Sequence, residues 1–206
     1  RYRVTAPREA GIYGALFQEP ASGTLPPPLP YRLQVVVMRP ATQAVNGVLN
    51  GYPVGVFPRS EAGAKWRFEE PRGFVEITKE NRDIFLTDHF RLRDLDCKLE
   101  NPYPHYAVIQ NSLLVKLEGL VDLLNAAGLP GSHMRIMSGF RTPDYNRTIG
   151  NETTLSRHLA GDAADVFLDR NGDERMDDLN RDGRVNRRDA RLLLSIVLAM
   201  DESPEY

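Results

Sequence analysis

One segment limits the folds open to this chain more than any other. Between Ala107 and Ala127, Val108, Ile109, Leu113, Leu117, Leu120, Val121 and Leu124 fall on one stripe at helical spacing, with Lys116, Glu118 and Asp122 elsewhere. Gly128 and Pro130 follow as a stop signal. The spacing predicts an amphipathic helix over residues 107–127. At about 1.5–3 kcal/mol for each fully buried large apolar side chain, that stripe anchors a core of its own. The chain has 206 residues, 41% hydrophobic and 26% charged, which excludes a wholly disordered or fibrous protein and leaves room for one large domain or two small ones.

Upstream of that helix the pattern changes. Tyr31 to Met38 is a β-branched run between Pro30 and Pro40, and Gly11 to Phe17 and Gly47 to Phe57 are shorter apolar runs punctuated by Gly and Pro. These predict short strands and tight turns. Leu25 to Pro30 is a stiff polyproline connector, and Phe74 to Thr78 alternates as a last strand or a bridge. Downstream, Met134 to Gly139 reads as a short buried strand ending in a turn, and Phe140 to Asn151 as a loop. Ala163 to Leu168 reads as a second strand and Asp189 to Met200 as another apolar helix. The order suits an α+β fold, with a small β-rich domain at residues 1–72 and a second domain at 80–206.

Charge and cysteine narrow the partners. A formal net charge of −2 gives no reason to expect nucleic acid or an anionic membrane. No apolar run reaches the roughly 20 residues of a transmembrane segment. The single cysteine, Cys97, cannot form an internal disulfide. The chain opens on Arg1 without a basic-then-apolar leader and closes on Ser203-Pro204-Glu205-Tyr206 without a helix stop, so the expectation is a fragment.

Two stretches carry chemistry. In Ser156-Arg157-His158-Leu159-Ala160-Gly161-Asp162-Ala163-Ala164-Asp165, an imidazole and a carboxylate of zinc-ligand type are separated by six residues. A turn at Gly161 into a small-residue strand could bring both heads to one ion, although such spacing alone is more often structural than metal-binding. Before it, Ser138-Gly139-Phe140-Arg141-Thr142-Pro143-Asp144-Tyr145-Asn146 places a guanidinium on a constrained loop after a strand, suited to a carboxylate.

In order, these two motifs resemble those of the M15 zinc D-Ala-D-Ala peptidases, which share the hedgehog/DD-peptidase fold; Leu86 to Leu95 is similar to the segment that opens that domain. The resemblance covers about residues 85–168. It implies Zn2+ held by two histidines and one aspartate, and an activated water attacking a peptide bond next to a D-amino acid. His158 and Asp165 match two of those ligands. Arg141 matches the arginine that meets the substrate carboxylate or the developing oxyanion, and Asp144, Tyr145, Asn146 and Ser156 shape the loop around the substrate. A peptidoglycan peptide as substrate and an extracytoplasmic address follow from the same resemblance. The family's second zinc histidine and its acid/base lie on a later strand, and no histidine follows His158. His89 and His105 read as structural and His133 as a surface residue, so the chain is expected to be truncated before that strand.

A second signal lies at 169–200, read as an insertion. Asp178-Leu-Asn180-Arg-Asp182-Gly183-Arg184-Val185-Asn186-Arg-Arg-Asp189 places oxygen side chains at loop positions 1, 3, 5, 9 and 12, with glycine at 6 and the Arg184 carbonyl at 7. This is the roughly 12-residue EF-hand pattern and predicts Ca2+. Asp189 in place of the longer glutamate is similar to dockerin loops. An overlapping frame from Asp169 through Asn171 and Asp173 lacks that glycine and is the weaker site. The rival to a zinc D,D-peptidase is a non-catalytic, calcium-ordered module that binds cell wall or protein, and a dockerin-like docking element ranks behind both.

Overall fold

The computed structural model describes residues 5–17, 31–58, 69–151 and 156–201. The polyproline connector at 25–30 lies outside them. Strands β1 (Gly11–Phe17) and β2 (Tyr31–Val37) form an antiparallel hairpin, registered from Gly11 opposite Val37 to Phe17 opposite Tyr31. It is docked by Ile12, which packs on the first core, and by Gln34, whose Nε2 donates to the Phe85 carbonyl at 2.7 Å. A two-stranded hairpin is only marginally stable by itself, so such anchors matter.

Three short strands follow: β3 (Arg39–Pro40), β4 (Val48–Leu49) and β5 (Tyr52–Pro53). Strands β4 and β5 are joined by Asn50-Gly51, with φ of 49° and 82°, the left-handed pair that tight hairpin turns favour. Strand β6 (Gly73–Ile77) is central in a three-stranded antiparallel sheet, with β3 on one side and β7 (His105–Ala107) on the other. One polar network stitches it together. Arg39 Nε and Nη2 donate to the two oxygens of Glu76 at 2.8 and 3.2 Å, Tyr106 Oη donates to Glu76 Oε2 at 2.7 Å, and Asn50 Nδ2 donates to Tyr106 Oη at 2.6 Å. The Arg39 guanidinium, before the tyrosine, holds the Glu76 carboxyl below its ordinary range.

Two cores result. Leu49, Tyr52 and Val54, on the amino-terminal side of the boundary expected at residue 72, lie in the same core as Phe74, Ile77, Tyr106, Val108 and Phe140. The second is built on helix α1 (Asn111–Ala126), whose Leu113, Leu117, Leu120, Val121 and Leu124 are buried with Met134, Leu168, Leu193 and Met200. The helix begins four residues later than the stripe implies. Ala107 is paired with Val75 in the sheet, and the Gln110 amide donates to the Gly161 carbonyl at 3.0 Å, so residues 105–110 are held extended.

Strand β8 (Met134–Ser138), the short helix α2 (Pro143–Thr148), strand β9 (Asp165–Leu168) and helix α3 (Arg187–Asp201) complete the fold. Helix α2 lies where a loop was expected. Thr142 caps it, its Oγ1 accepting from the Tyr145 amide at 3.2 Å, and Pro143 occupies the first turn, where its missing N–H is no loss. The architecture is α+β. No helix among the described residues is long and apolar enough to cross a membrane.

Candidate functional site

The site grows from the β8–β9 pair. The strands are antiparallel, with an irregular register between Ile136 and Ser138 that brings Ser138 opposite Asp165. Such a bulge bends the strand and re-aims its end. Beyond Ser138, the chain is pressed onto the body of the fold. A Cβ at Gly139 would lie 2.8 Å from the Leu95 Cα, the Phe140 amide donates to the Leu95 carbonyl at 3.1 Å, and the Phe140 ring is buried in the first core.

His158 sits on a short 3-10 turn, Arg157–Ala160, ended by Gly161 in the left-handed region at φ 67°. A side chain at Gly161 would collide with the Val108 carbonyl oxygen. The turn is joined to the Gly139 loop by the Arg141 amide, which donates to the His158 carbonyl at 3.2 Å.

Three side chains converge. His158 Nδ1 is 2.7 Å from the Gly139 carbonyl, which only accepts, so Nδ1 carries the proton and Nε2 presents its lone pair in the neutral ring. That Nε2 is 3.5 Å from Asp165 Oδ1. A tetrahedral ion bound at about 2.1 Å from each of two ligands keeps them about 3.4 Å apart, so the separation of this pair matches that of two zinc ligands. Arg141 closes the group. Its Nη2 donates to Asp165 Oδ2 at 2.5 Å and its Nε to Ser138 Oγ at 2.8 Å. Its side chain is 11% exposed and that of Asp165 41%, so the carboxylate is the more accessible of the two.

The other expected site residues are placed apart from this trio. Asp144 is paired with Arg147 at the surface of α2. Tyr145 is half-buried and packs on the first core. Asn146 is buried and braces the loop, donating from Nδ2 to the Asn151 carbonyl at 3.1 Å. Ser156 is buried at the start of the histidine turn. Ser138 and the Gly139 carbonyl, which hold Arg141 and His158, read in the sequence only as a strand end and a turn.

The remaining histidines are engaged elsewhere. His89 Nδ1 is 2.6 Å from Glu118, His105 is buried between Asp96 at 2.8 Å and the Asn101 carbonyl at 2.7 Å, and His133 is exposed. Among the described residues, no group of three or more His, Cys, Asp or Glu side chains is close enough to hold a metal.

That statement includes the acidic loop. Asp178 accepts from the Asp182 and Gly183 amides at 3.1 and 2.7 Å, Asn180 from the Asp182 amide at 2.9 Å, and Asp182 from the Arg184 amide at 3.0 Å. Asn186 Oδ1 accepts from the Arg188 amide, and Gly183 has φ 81°. Asp189 is buried, and it accepts from the amides of Asn186, Leu179 and Asn180 at 2.8, 2.9 and 3.2 Å. Those amides, Asn186 first, hold its carboxyl below the ordinary range. The earlier frame repeats the pattern nine residues upstream. Asp169 accepts from the Asp173 and Glu174 amides, and Glu174 takes the left-handed conformation, at φ 62°, that Gly183 takes in the later loop.

Comparison with known proteins gives one finding. Residues 89–188 match the family model described as Peptidase M15, while no curated protein and no solved structure matches the chain. The matched span contains α1, both strands of the site, Arg141, His158 and Asp165, and the α+β architecture agrees with a hedgehog/DD-peptidase-like fold. Over residues 89–188, just under half of its length, this chain is similar to the M15 peptidases.

Proposed function

We propose that the chain carries the metal-binding part of a zinc-dependent peptidase acting on D-amino-acid-containing peptide bonds of peptidoglycan, outside the cytoplasm. The 3.5 Å separation of His158 Nε2 and Asp165 Oδ1 is the observation that carries this reading. His158, in its Nδ1–H tautomer, and Asp165, through Oδ1, are two of the ligands. The family's third ligand is a histidine, and among the described residues no third His, Cys, Asp or Glu joins the pair. A bound zinc lowers the pKa of its water to about 7 and polarises the scissile carbonyl. Arg141 spends Nη2 and Nε on Asp165 and Ser138, so its Nη1 end is the part left to face a substrate oxygen. In the hydrolysis the water oxygen adds to the carbonyl carbon, the amide C–N bond breaks, and the proton passes to the leaving amine.

The test is direct. Full-length protein loaded with zinc is expected to hold about one ion per molecule and either to release D-alanine from D-Ala-D-Ala peptides or to cut crosslinked muropeptides. Stoichiometric zinc without either product removes the proposal.

Ca2+ belongs to the same reading as a structural ion in the Asp178–Asp189 loop, with Asp178, Asn180, Asp182, the Arg184 carbonyl, Asn186 and Asp189 as its oxygens. What supports it is the register of those oxygens with the glycine at position 6. The loop continues the chain from the strand that begins at Asp165, so calcium there steadies one wall of the site. Titration with calcium is expected to raise the thermal midpoint, and an unchanged midpoint rejects the ion.

A further inference from the structure

The two ligand side chains share one feature that the sequence motif does not announce. Each has its second polar atom tied to the same four residues. The His158 ring is turned by Nδ1 on the Gly139 carbonyl at 2.7 Å, and the Asp165 carboxylate by Oδ2 on the Arg141 guanidinium at 2.5 Å. The guanidinium is itself fixed. Ser138 Oγ takes its Nε at 2.8 Å, and Ser138 stands across the sheet from Asp165. Strand β8, Ser138, Arg141, Asp165 and strand β9 therefore form a closed ring of covalent, ladder and side-chain bonds.

We propose that Arg141, braced by Ser138, is a positioning residue that aims Asp165 Oδ1 at the metal, so that residues 138–141 serve first as the outer support of the metal site. The inference rests on the zinc reading above. An aspartate at a strand end, 41% exposed, turns freely about two side-chain bonds unless something holds it. A planar fork with one prong on the carboxylate and another on a strand hydroxyl does so, and lysine cannot reproduce it. Outer partners of this kind typically change metal affinity by about 10–100-fold.

Charge gives the opposite expectation, and this makes the proposal decidable. A guanidinium near a dication repels it, so its removal tightens binding if charge is all that counts. If orientation governs, removal weakens binding. Full-length protein and the variants Arg141→Ala, Arg141→Lys and Ser138→Ala are titrated with zinc in a chelator buffer, and the absorption of the cobalt-substituted site is recorded.

The expected result is a zinc Kd about 10–100-fold higher for Arg141→Ala, with Arg141→Lys close to it and Ser138→Ala weakened in the same direction although its charge is unchanged. The cobalt bands shift in all three. Zinc binding as tight as wild type, or tighter, in Arg141→Ala overturns the proposal and leaves the zinc reading standing. Should Arg141→Ala not fold, Ser138→Ala decides by the same criterion. A wild-type chain that takes up no zinc removes both readings together.

Discussion

Gly161→Ala is expected to lower the thermal midpoint by about 10 °C, far more than a methyl group on a surface turn ordinarily does. Two effects add. Gly161 lies at φ 67°, and the left-handed region costs a residue with a Cβ about 1–2 kcal/mol. The new Cβ would also overlap the Val108 carbonyl oxygen and crowd the Ile109 amide. Neither atom is the end of a flexible side chain, so a backbone segment has to move. That segment is the extended run between β7 and α1, where the Gln110 amide is bonded to the Gly161 carbonyl. Overpacking against backbone typically adds about 1–3 kcal/mol, giving roughly 2–5 kcal/mol in total. For a chain of this size each kcal/mol moves the midpoint by about 2–4 °C. Gly128→Ala is the control. It has φ 74°, but its Cβ would meet nothing within 4 Å, so only the conformational cost applies and the shift is smaller, about 2–8 °C. Equal shifts in the two variants would show that the close approach at Gly161 carries no energy.

The same glycine shows what a sequence can and cannot carry. Its place as a turn between imidazole and carboxylate is legible from Gly followed by Ala163 and Ala164, and the structure puts it there. Its contact with Val108, more than 50 residues upstream, is not, because no local pattern encodes which backbone a turn will lie against. The stripe names the buried face of α1, Leu113, Leu117, Leu120, Val121 and Leu124, yet it also runs into Val108 and Ile109, which precede the helix, and Val108 belongs to the first core. Helical spacing continues smoothly into them, and only pairing with Val75 and the bond to Gly161 hold them extended. Helix α2 is a different kind of omission. Thr142-Pro143-Asp144 is a cap, a first-turn proline and a first-turn acid in order, a local signal sufficient to find it. Arg141 was read as a free fork for a substrate because its strand partners, Ser138 and Asp165, become neighbours only through the β8–β9 register.

Among the four histidines, His158→Ala is expected to abolish stoichiometric zinc and to lower peptidase kcat/KM by at least about 10³-fold, equivalent to roughly 4 kcal/mol of lost transition-state stabilisation. It should leave the fold in place, since His158 is partly buried and belongs to neither hydrophobic core. His105→Ala should do the reverse. That ring is 9% exposed, stacked on Tyr103 with centroids 4.2 Å apart, and bonded to Asp96 through Nδ1. Removing it leaves the Asp96 carboxylate buried without its partner, a loss of about 3–5 kcal/mol in stability. Zinc binding in the folded fraction is expected to persist. His89→Ala gives up only a partly exposed pair with Glu118, worth about 0.2–1 kcal/mol, and His133→Ala removes an exposed ring. Metal analysis and thermal melts on the four variants therefore separate into one that loses zinc, one that loses stability and two that lose little. If zinc loss instead followed His89, His105 or His133 while His158→Ala kept its ion, the metal would not lie between His158 and Asp165, and the hydrolytic site would have to be sought elsewhere in the chain.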